Sequence, residues 1–205
     1  MSDQAIKIIG ISGSPRAAST AYAVEAALSY AKEKYPVQTD FYSLHNKKIN
    51  FCIHCDYCLR KKGCVHRDDI AELYPRLEQA DAWILGTPVY QGQMSGQLKT
   101  LLDRLRAPAA SNQDIYTNKV GAGIAIGGDR SGGQEPTLQS MIDFFIINKM
   151  IPTGGGAFGA NLGAAVWSGD KGAEGVKSDA EGIQSVHKIV DRLASIALSI
   201  RYRRV

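Results

Sequence analysis

Three observations predict an α/β protein built on a doubly wound parallel sheet. Short apolar runs alternate with segments of helical periodicity, the turns after several of those runs are rich in glycine and hydroxyl side chains, and the length of 205 residues suits a single domain, residues 1–205. With 44% hydrophobic and 21% charged residues the composition is that of a globular protein, which argues against a disordered, collagenous or coiled-coil chain. Glycine is enriched at 21 residues, which asks for several tight loops where backbone approaches something closely.

Ala5 to Ile11 is an apolar run that reads as the first strand, followed by a polar turn and a helix over Ser19 to Tyr35 with Val24, Ala27, Leu28 and Ala31 at helical spacing. Val37 to Ser43 reads as the second strand. His45 to Arg67 has no period and reads as a functional loop. A helix over Asp69 to Ala80 follows, capped by Asp68 or Asp69, with Ile70, Leu73, Tyr74 and Leu77 on one face and a kink expected at Pro75. Ala82 to Gly86 is the third strand and Thr87 to Met94 a loop. Ser95 caps a helix whose Leu98, Leu101, Leu102 and Leu105 repeat at i, i+3, i+4 and i+7. Lys119 to Ile126 is the fourth strand, Gly127 to Glu135 a glycine-rich loop, and Pro136 to Asn148 a helix. Met150 to Thr153 opens a fifth strand. Gly154 to Gly175 holds eight glycines and yields no boundary. A last helix runs from Val176 toward Tyr202.

Right-handed crossovers place such helices on both faces of the sheet. Five strands suit the flavodoxin-like order 2-1-3-4-5, whose ligand crevice lies beyond the carboxyl ends of strands one and three, where the winding reverses. No repeat, low-complexity segment or linker interrupts the pattern. A net charge of +4 without a clustered basic stripe gives no reason to expect a nucleic-acid partner. Met1 to Gly10 lacks the pattern of a secretory signal, and nowhere do eighteen apolar residues run together, so a soluble cytoplasmic protein without membrane contact is expected.

Three loops open on the expected crevice. Ser12 to Thr20 joins a strand to a helix, so its amides and the helix dipole form an anion site, completed by the hydroxyls of Ser12, Ser14, Ser19 and Thr20 and the guanidinium of Arg16. Neither the dinucleotide glycine fingerprint nor the nucleoside-triphosphate loop pattern occurs, which disfavours pyrophosphate cofactors. Pro88, Val89, Tyr90, Gln91 and Gly92 follow the third strand and offer amides to the edge of a planar ring, with Tyr90 able to flank it. Gly127, Gly128, Gly132 and Gly133 follow the fourth and let backbone pass close to a flat group. A phosphate cradle with two ring walls fits FMN.

The four cysteines, Cys52, Cys55, Cys58 and Cys64, follow the spacing C-x2-C-x2-C-x5-C, which can wrap a [4Fe-4S] cluster. Zinc, alone or with His54 or His66 as a mixed ligand, and free or disulfide-forming thiols are the other readings. Lys47, Lys48, Arg60, Lys61, Lys62 and Arg67 stand against Asp56 in this stretch and would offset the charge of four thiolates or receive an acidic carrier. No side chain reads as a catalytic acid, base or nucleophile: His45 and His187 stand alone as surface or helix-face histidines, and Asp129 and Glu135 read as loop carboxylates. The chemistry then belongs to the flavin N5, with the protein positioning the ring.

Taken together, Gly13-Ser14-Pro15-Arg16 with Ser19-Thr20, the cysteine run followed by Asp68-Asp69, Gly86 to Tyr90 with Ser95-Gly96 and Lys99, and the Gly127 to Glu135 loop resemble the iron-sulfur flavoproteins, a branch of the NADPH-dependent FMN reductase and flavodoxin-like superfamily. The resemblance covers nearly the whole chain. It implies FMN held by the first loop at its phosphate and by Pro88 to Gly92 and the Gly128 loop at its ring, a [4Fe-4S] cluster on the four cysteines, and a homodimer or homotetramer in which one subunit's cluster lies near another's flavin. Electrons would pass between a ferredoxin-like carrier or NAD(P)H and small acceptors such as quinones or oxygen species. A flavin-only NAD(P)H:FMN or quinone reductase with zinc-bound or free cysteines, and a non-catalytic flavodoxin-like carrier or redox sensor, are the rival expectations.

Overall fold

In a computed structural model, which describes residues 5–202, alternation of apolar side chains along the strands sorts them onto two opposite faces. In β1 (Ile6–Ser12), Ile6 and Ile8 point to one face and Ile9 and Ile11 to the other; in β3 (Ala82–Tyr90), Ala82 and Ile84 oppose Trp83 and Leu85. With β2 (Val37–Ser43) and β5 (Val120–Gly127), these strands form a parallel sheet buried on both sides. One core packs α1 (Ser19–Lys34), α7 (Gly172–Ser178) and α8 (Ala180–Tyr202) against it. The other face is covered by a 3-10 turn (Asp69–Glu72), α3 (Tyr74–Gln79), α4 (Gly96–Arg104) and α6 (Gln134–Ile147). The short α2 (Tyr57–Arg60) and α5 (Arg106–Ser111) stand against each other beside the cysteine loop.

The strand order is β2-β1-β3-β5 followed by an edge position, the flavodoxin-like winding expected. Two segments fill that edge. β6 (Ile151–Pro152) pairs with Val120 and Gly121 at the start of β5, while β7 (Ala164–Trp167) pairs with Ile124 to Gly127 at its end. The fifth strand is therefore interrupted by an excursion over residues 153–163, and the strand that Met150 to Thr153 opens is completed only by Ala164 to Trp167.

Other boundaries differ for identifiable reasons. β3 continues past Gly86 to Tyr90 and turns back through Gln91 and Gly92, both at positive φ, into β4 (Gln93–Met94), so Thr87 to Met94 is a hairpin with a two-residue turn. Pro75 stands in the first turn of α3, where its missing N–H is harmless, and starts that helix instead of kinking it. Neither Asp68 nor Asp69 caps a helix with its side chain; both carboxylates are spent on the cysteine loop, as described below. Ser95 does cap α4, accepting from the Leu98 amide at 3.1 Å. The last helical stretch is two helices broken at Asp179, whose carboxylate accepts from the Trp167 amide at 2.8 Å. At Gly175 a Cβ would come within 1.6 Å of the Ser168 carbonyl oxygen, so α7 lies on the end of β7 only because that position has no side chain. Among the described residues no helix is long and apolar enough to cross a membrane.

Candidate functional site

At the carboxyl ends of β1, β3 and β5 the chain forms a hollow of about 70 Å³. Its wall brings together Ser14, Arg16, Ser19 and Thr20 from the first loop, Pro88, Val89 and Tyr90 from the hairpin, and Gly128 from the third loop. α1 begins here with Ala18 at its N-cap and no side-chain cap, leaving its first amides to a ligand. Ser14 Oγ accepts from the Arg16 amide at 3.0 Å, which curls the loop.

Ser12, Gln91, Gly92, Gly127, Gly132 and Gly133 lie off this wall. Ser12 ends β1 fully buried, its Oγ without a partner. Gln91 and Gly92 form the hairpin tip. Gly133, at φ 98°, approaches the hairpin so closely that a Cβ would stand 2.9 Å from the Gly92 Cα, so the third loop braces the second. Gln134 closes that loop on itself, donating to the Asp129 carbonyl at 2.6 Å and accepting from the Gly132 amide at 2.8 Å.

Two further contributors to the wall were not singled out from the sequence, and Ser95, read there as a helix cap, has a second role. Ser168 and Asp170 complete the wall from the segment between β7 and α7. Ser168 is tied to the end of β5 by its amide and hydroxyl, both donating to the Gly127 carbonyl at 2.9 and 3.1 Å. Ser95 joins the loops from below: its hydroxyl donates to the Gly13 carbonyl at 2.6 Å while its amide donates to Thr87 Oγ1 at 3.0 Å. His45 is not a lone surface histidine, since its Nδ1 lies 2.7 Å from the Pro15 carbonyl and props the first loop. His187 is a helix-face residue stacked on Tyr30 with ring centroids 4.0 Å apart.

The second site is the cysteine loop. Cys52, Cys55, Cys58 and Cys64 all border one small hollow of about 20 Å³ together with His66, Arg104 and Arg106. The chain wraps around it through left-handed backbone at His54 and Asp56. All four thiols are free, and among the described residues no three His, Cys, Asp or Glu side chains are grouped as a metal site. A cluster therefore requires the thiols to draw together and the loop to open around it. The donor set suits it in kind: four thiols border one space that Arg104 and Arg106 also line.

The wall behind the thiols is held by a buried ion pair. Arg104, 1% exposed, donates from Nη1 to Asp68 Oδ2 at 2.8 Å and to the Asn50 carbonyl at 2.7 Å, and from Nη2 to Asp68 Oδ1 at 3.0 Å. Burial alone would raise the Asp68 carboxyl, but Arg104 together with the amide and side chain of Asn50 overcomes this and holds it at about 2. Asp69 likewise accepts from the Lys48 amide at 2.7 Å. Arg106 donates to Asp56 at 2.7 Å and keeps that carboxyl below its ordinary range. The basic stretch is thus less one-sided than its sequence, since Lys47 also pairs with Glu72 at 2.6 Å.

Residues 6–165 match the model of the NADPH-dependent FMN reductase family. The chain belongs to that family. It is 54% identical over 192 residues to an iron-sulfur flavoprotein of Methanocaldococcus jannaschii, covering 93% of this chain and 96% of that one. It is also 47% identical over 189 residues to an iron-sulfur flavoprotein of Archaeoglobus fulgidus, covering 92% and 96%. These similarities place it in the iron-sulfur flavoprotein branch and make it a flavin-dependent oxidoreductase. A flavodoxin, WrbA-like protein from Agrobacterium tumefaciens superimposes with a TM-score of 0.67 over 96% of this chain and 99% of that one at 17% identity, a likeness of fold.

Proposed function

We propose that the protein transfers electrons between a single-electron carrier such as ferredoxin, or NAD(P)H, and a small acceptor, using FMN in the first hollow and a [4Fe-4S] cluster on Cys52, Cys55, Cys58 and Cys64. The observation that carries this reading is that all four cysteines border one hollow while the loops suited to a flavin mononucleotide converge on another. Bound FMN would supply the exchange between one- and two-electron chemistry, and the cluster would supply single-electron transfer.

The residues of the chain bind and orient. The amides of the first turn of α1, the hydroxyls of Ser14, Ser19 and Thr20 and the Arg16 guanidinium suit a phosphate dianion. Asp170, a carboxylate on the same wall, would repel it, and so belongs to the hydroxyl-bearing part of the ligand. The ring would lie over the hairpin against Pro88 to Tyr90, where Tyr90 is 42% exposed and open to a flat ligand. Beside the cysteines, Phe51, Ile53 and Leu59 are more than half exposed, an apolar rim that suits a second copy of the chain and supports a homodimer or homotetramer.

Anaerobic purification followed by iron, acid-labile sulfide and FMN analysis tests the reading: about four irons and four sulfides per chain with bound FMN are expected. FMN with zinc and no sulfide would favour a flavin-only NAD(P)H:FMN or quinone reductase, a reading for which the presence of His66 on the cysteine hollow is the specific support. His54, 78% exposed at its side chain, stands outside that wall.

A further inference from the structure

Three buried side-chain polar atoms among the described residues lack a hydrogen-bond partner: Ser12 Oγ, His66 Nε2 and Arg104 Nε. Two of these residues, His66 and Arg104, border the cysteine hollow. Buried polar atoms are almost always satisfied, so two residues with orphaned atoms beside one small space point to a partner that the protein itself does not provide. Arg104 is the more telling. Its two terminal nitrogens are fixed by Asp68 and the Asn50 carbonyl, which immobilises the guanidinium and leaves the Nε–H with no protein acceptor. An ion pair so deeply buried is weak evidence for stability, since an apolar pair of similar volume often serves as well. Its position therefore calls for another account.

We propose that Arg104 is a positioning residue for the iron-sulfur cluster, its Nε–H donating to a cluster or thiolate sulfur and its fixed positive charge favouring the reduced state. This rests on the reading of the cysteines as cluster ligands. Hydrogen bonds to sulfur and nearby positive charge are among the features that set a cluster's potential, and both stabilise the more negative, reduced form. Asp68 holds both terminal nitrogens of the guanidinium, and the Asn50 carbonyl, sharing Nη1 with it, ties the same group to the stretch of chain that leads into Cys52. The pair thus links α4 to the loop that carries the ligands, across a separation in sequence of 36 residues.

The test compares anaerobically prepared wild type, Asp68→Asn, and Asp68→Asn with Arg104→Gln, the last leaving no unpaired buried charge. The readouts are iron and sulfide content, the cluster midpoint potential, and the shift of the Fe–S stretching bands on exchange into D2O, with FMN content reporting the fold. For the double variant we expect at least a tenfold loss of preference for the reduced state, about 59 mV more negative for one electron, and a smaller deuterium shift. Asp68→Asn alone leaves the potential at or above that of wild type. A double variant that holds the cluster at the wild-type potential with the wild-type deuterium shift overturns the proposal while leaving the cluster reading intact. If the double variant binds FMN without the cluster, Arg104→Lys is read in its place: an undiminished deuterium shift overturns the proposal and a diminished one supports it. Wild type lacking iron and sulfide removes the cluster reading and this inference with it.

Discussion

Replacing Ser95 with Ala perturbs a single hydroxyl that serves two loops at once. The side chain is fully buried, accepts from the Leu98 amide at 3.1 Å as the cap of α4, and donates to the Gly13 carbonyl at 2.6 Å. The variant keeps the backbone bond from residue 95 to Thr87 Oγ1 and loses both others. Loss of a cap is worth roughly 1 kcal/mol, and a buried group left without a partner adds about 1–3 kcal/mol, so a fall of about 2–4 kcal/mol in unfolding free energy is expected. For a chain of this size that is a drop in Tm of about 4–16 °C. Urea unfolding of the FMN-free protein measures the first quantity, and quenching of FMN fluorescence on titration measures the second consequence, weaker binding through a loosened Gly13 loop. A loss below about 0.5 kcal/mol with unchanged FMN affinity would refute the account of Ser95 as the tie between the first loop and α4.

Arg16→Ala should weaken FMN by about 1.5–3 kcal/mol, the range for a charged hydrogen bond, and calorimetric titration showing no change would remove Arg16 from the site. Cys58→Ala should abolish iron and sulfide while FMN stays bound, because the two hollows have separate walls; joint loss on analysis would contradict that separation. Asp68 is held at about 2 against an ordinary 3.8, so its contribution is present above about pH 4 and lost as pH falls through about 2. At 1.36 kcal/mol per pH unit this is about 2 kcal/mol, and the stability gap between wild type and Asp68→Asn in urea melts should narrow by that amount from pH 5 to pH 2. Lys61 and Lys62, both exposed on the cysteine loop, changed to Glu should slow reduction by an acidic carrier in a salt-dependent manner in stopped-flow traces; equal rates at low salt would leave them as solvated charge.

The sheet and its winding were legible because period-two and period-3.6 patterns are local: Ile6 to Ile11 and Leu98 to Leu105 declare their faces within one element. The first wall of the site was legible for the same reason, since Ser14 to Thr20 is one continuous loop between strand and helix. What escaped depended on contacts between distant segments. Asp68 looked like a cap until Arg104 came to face it from α4, and no spacing rule joins those positions. His45 touches Pro15 only because parallel pairing of β1 and β2 puts Ser12 beside Ser43. The Tyr90 to Gln93 turn lacks the Asn-Gly or Asp-Gly dipeptide that signals such a hairpin, although Gly92 at positive φ was the available hint. Ser168 and Asp170 lie in a glycine-rich stretch where every residue could turn, and only pairing of β7 with the end of β5 delivers them to the hollow.

The division of the last strand position between β6 and β7 also bears on how the molecule behaves in a crowded solution. A long, flat outer strand presents a row of open amides and carbonyls on which another chain can be added, the first step of cross-β growth. Here that border is cut into pieces of two and four residues by the excursion over residues 153–163, and Pro152 removes one donor from the shorter piece. Neither piece is long enough to template a stable ladder. The same interruption therefore leaves this border of the sheet without a continuous surface for runaway assembly, so the uninterrupted edge is the opposite one, at β2.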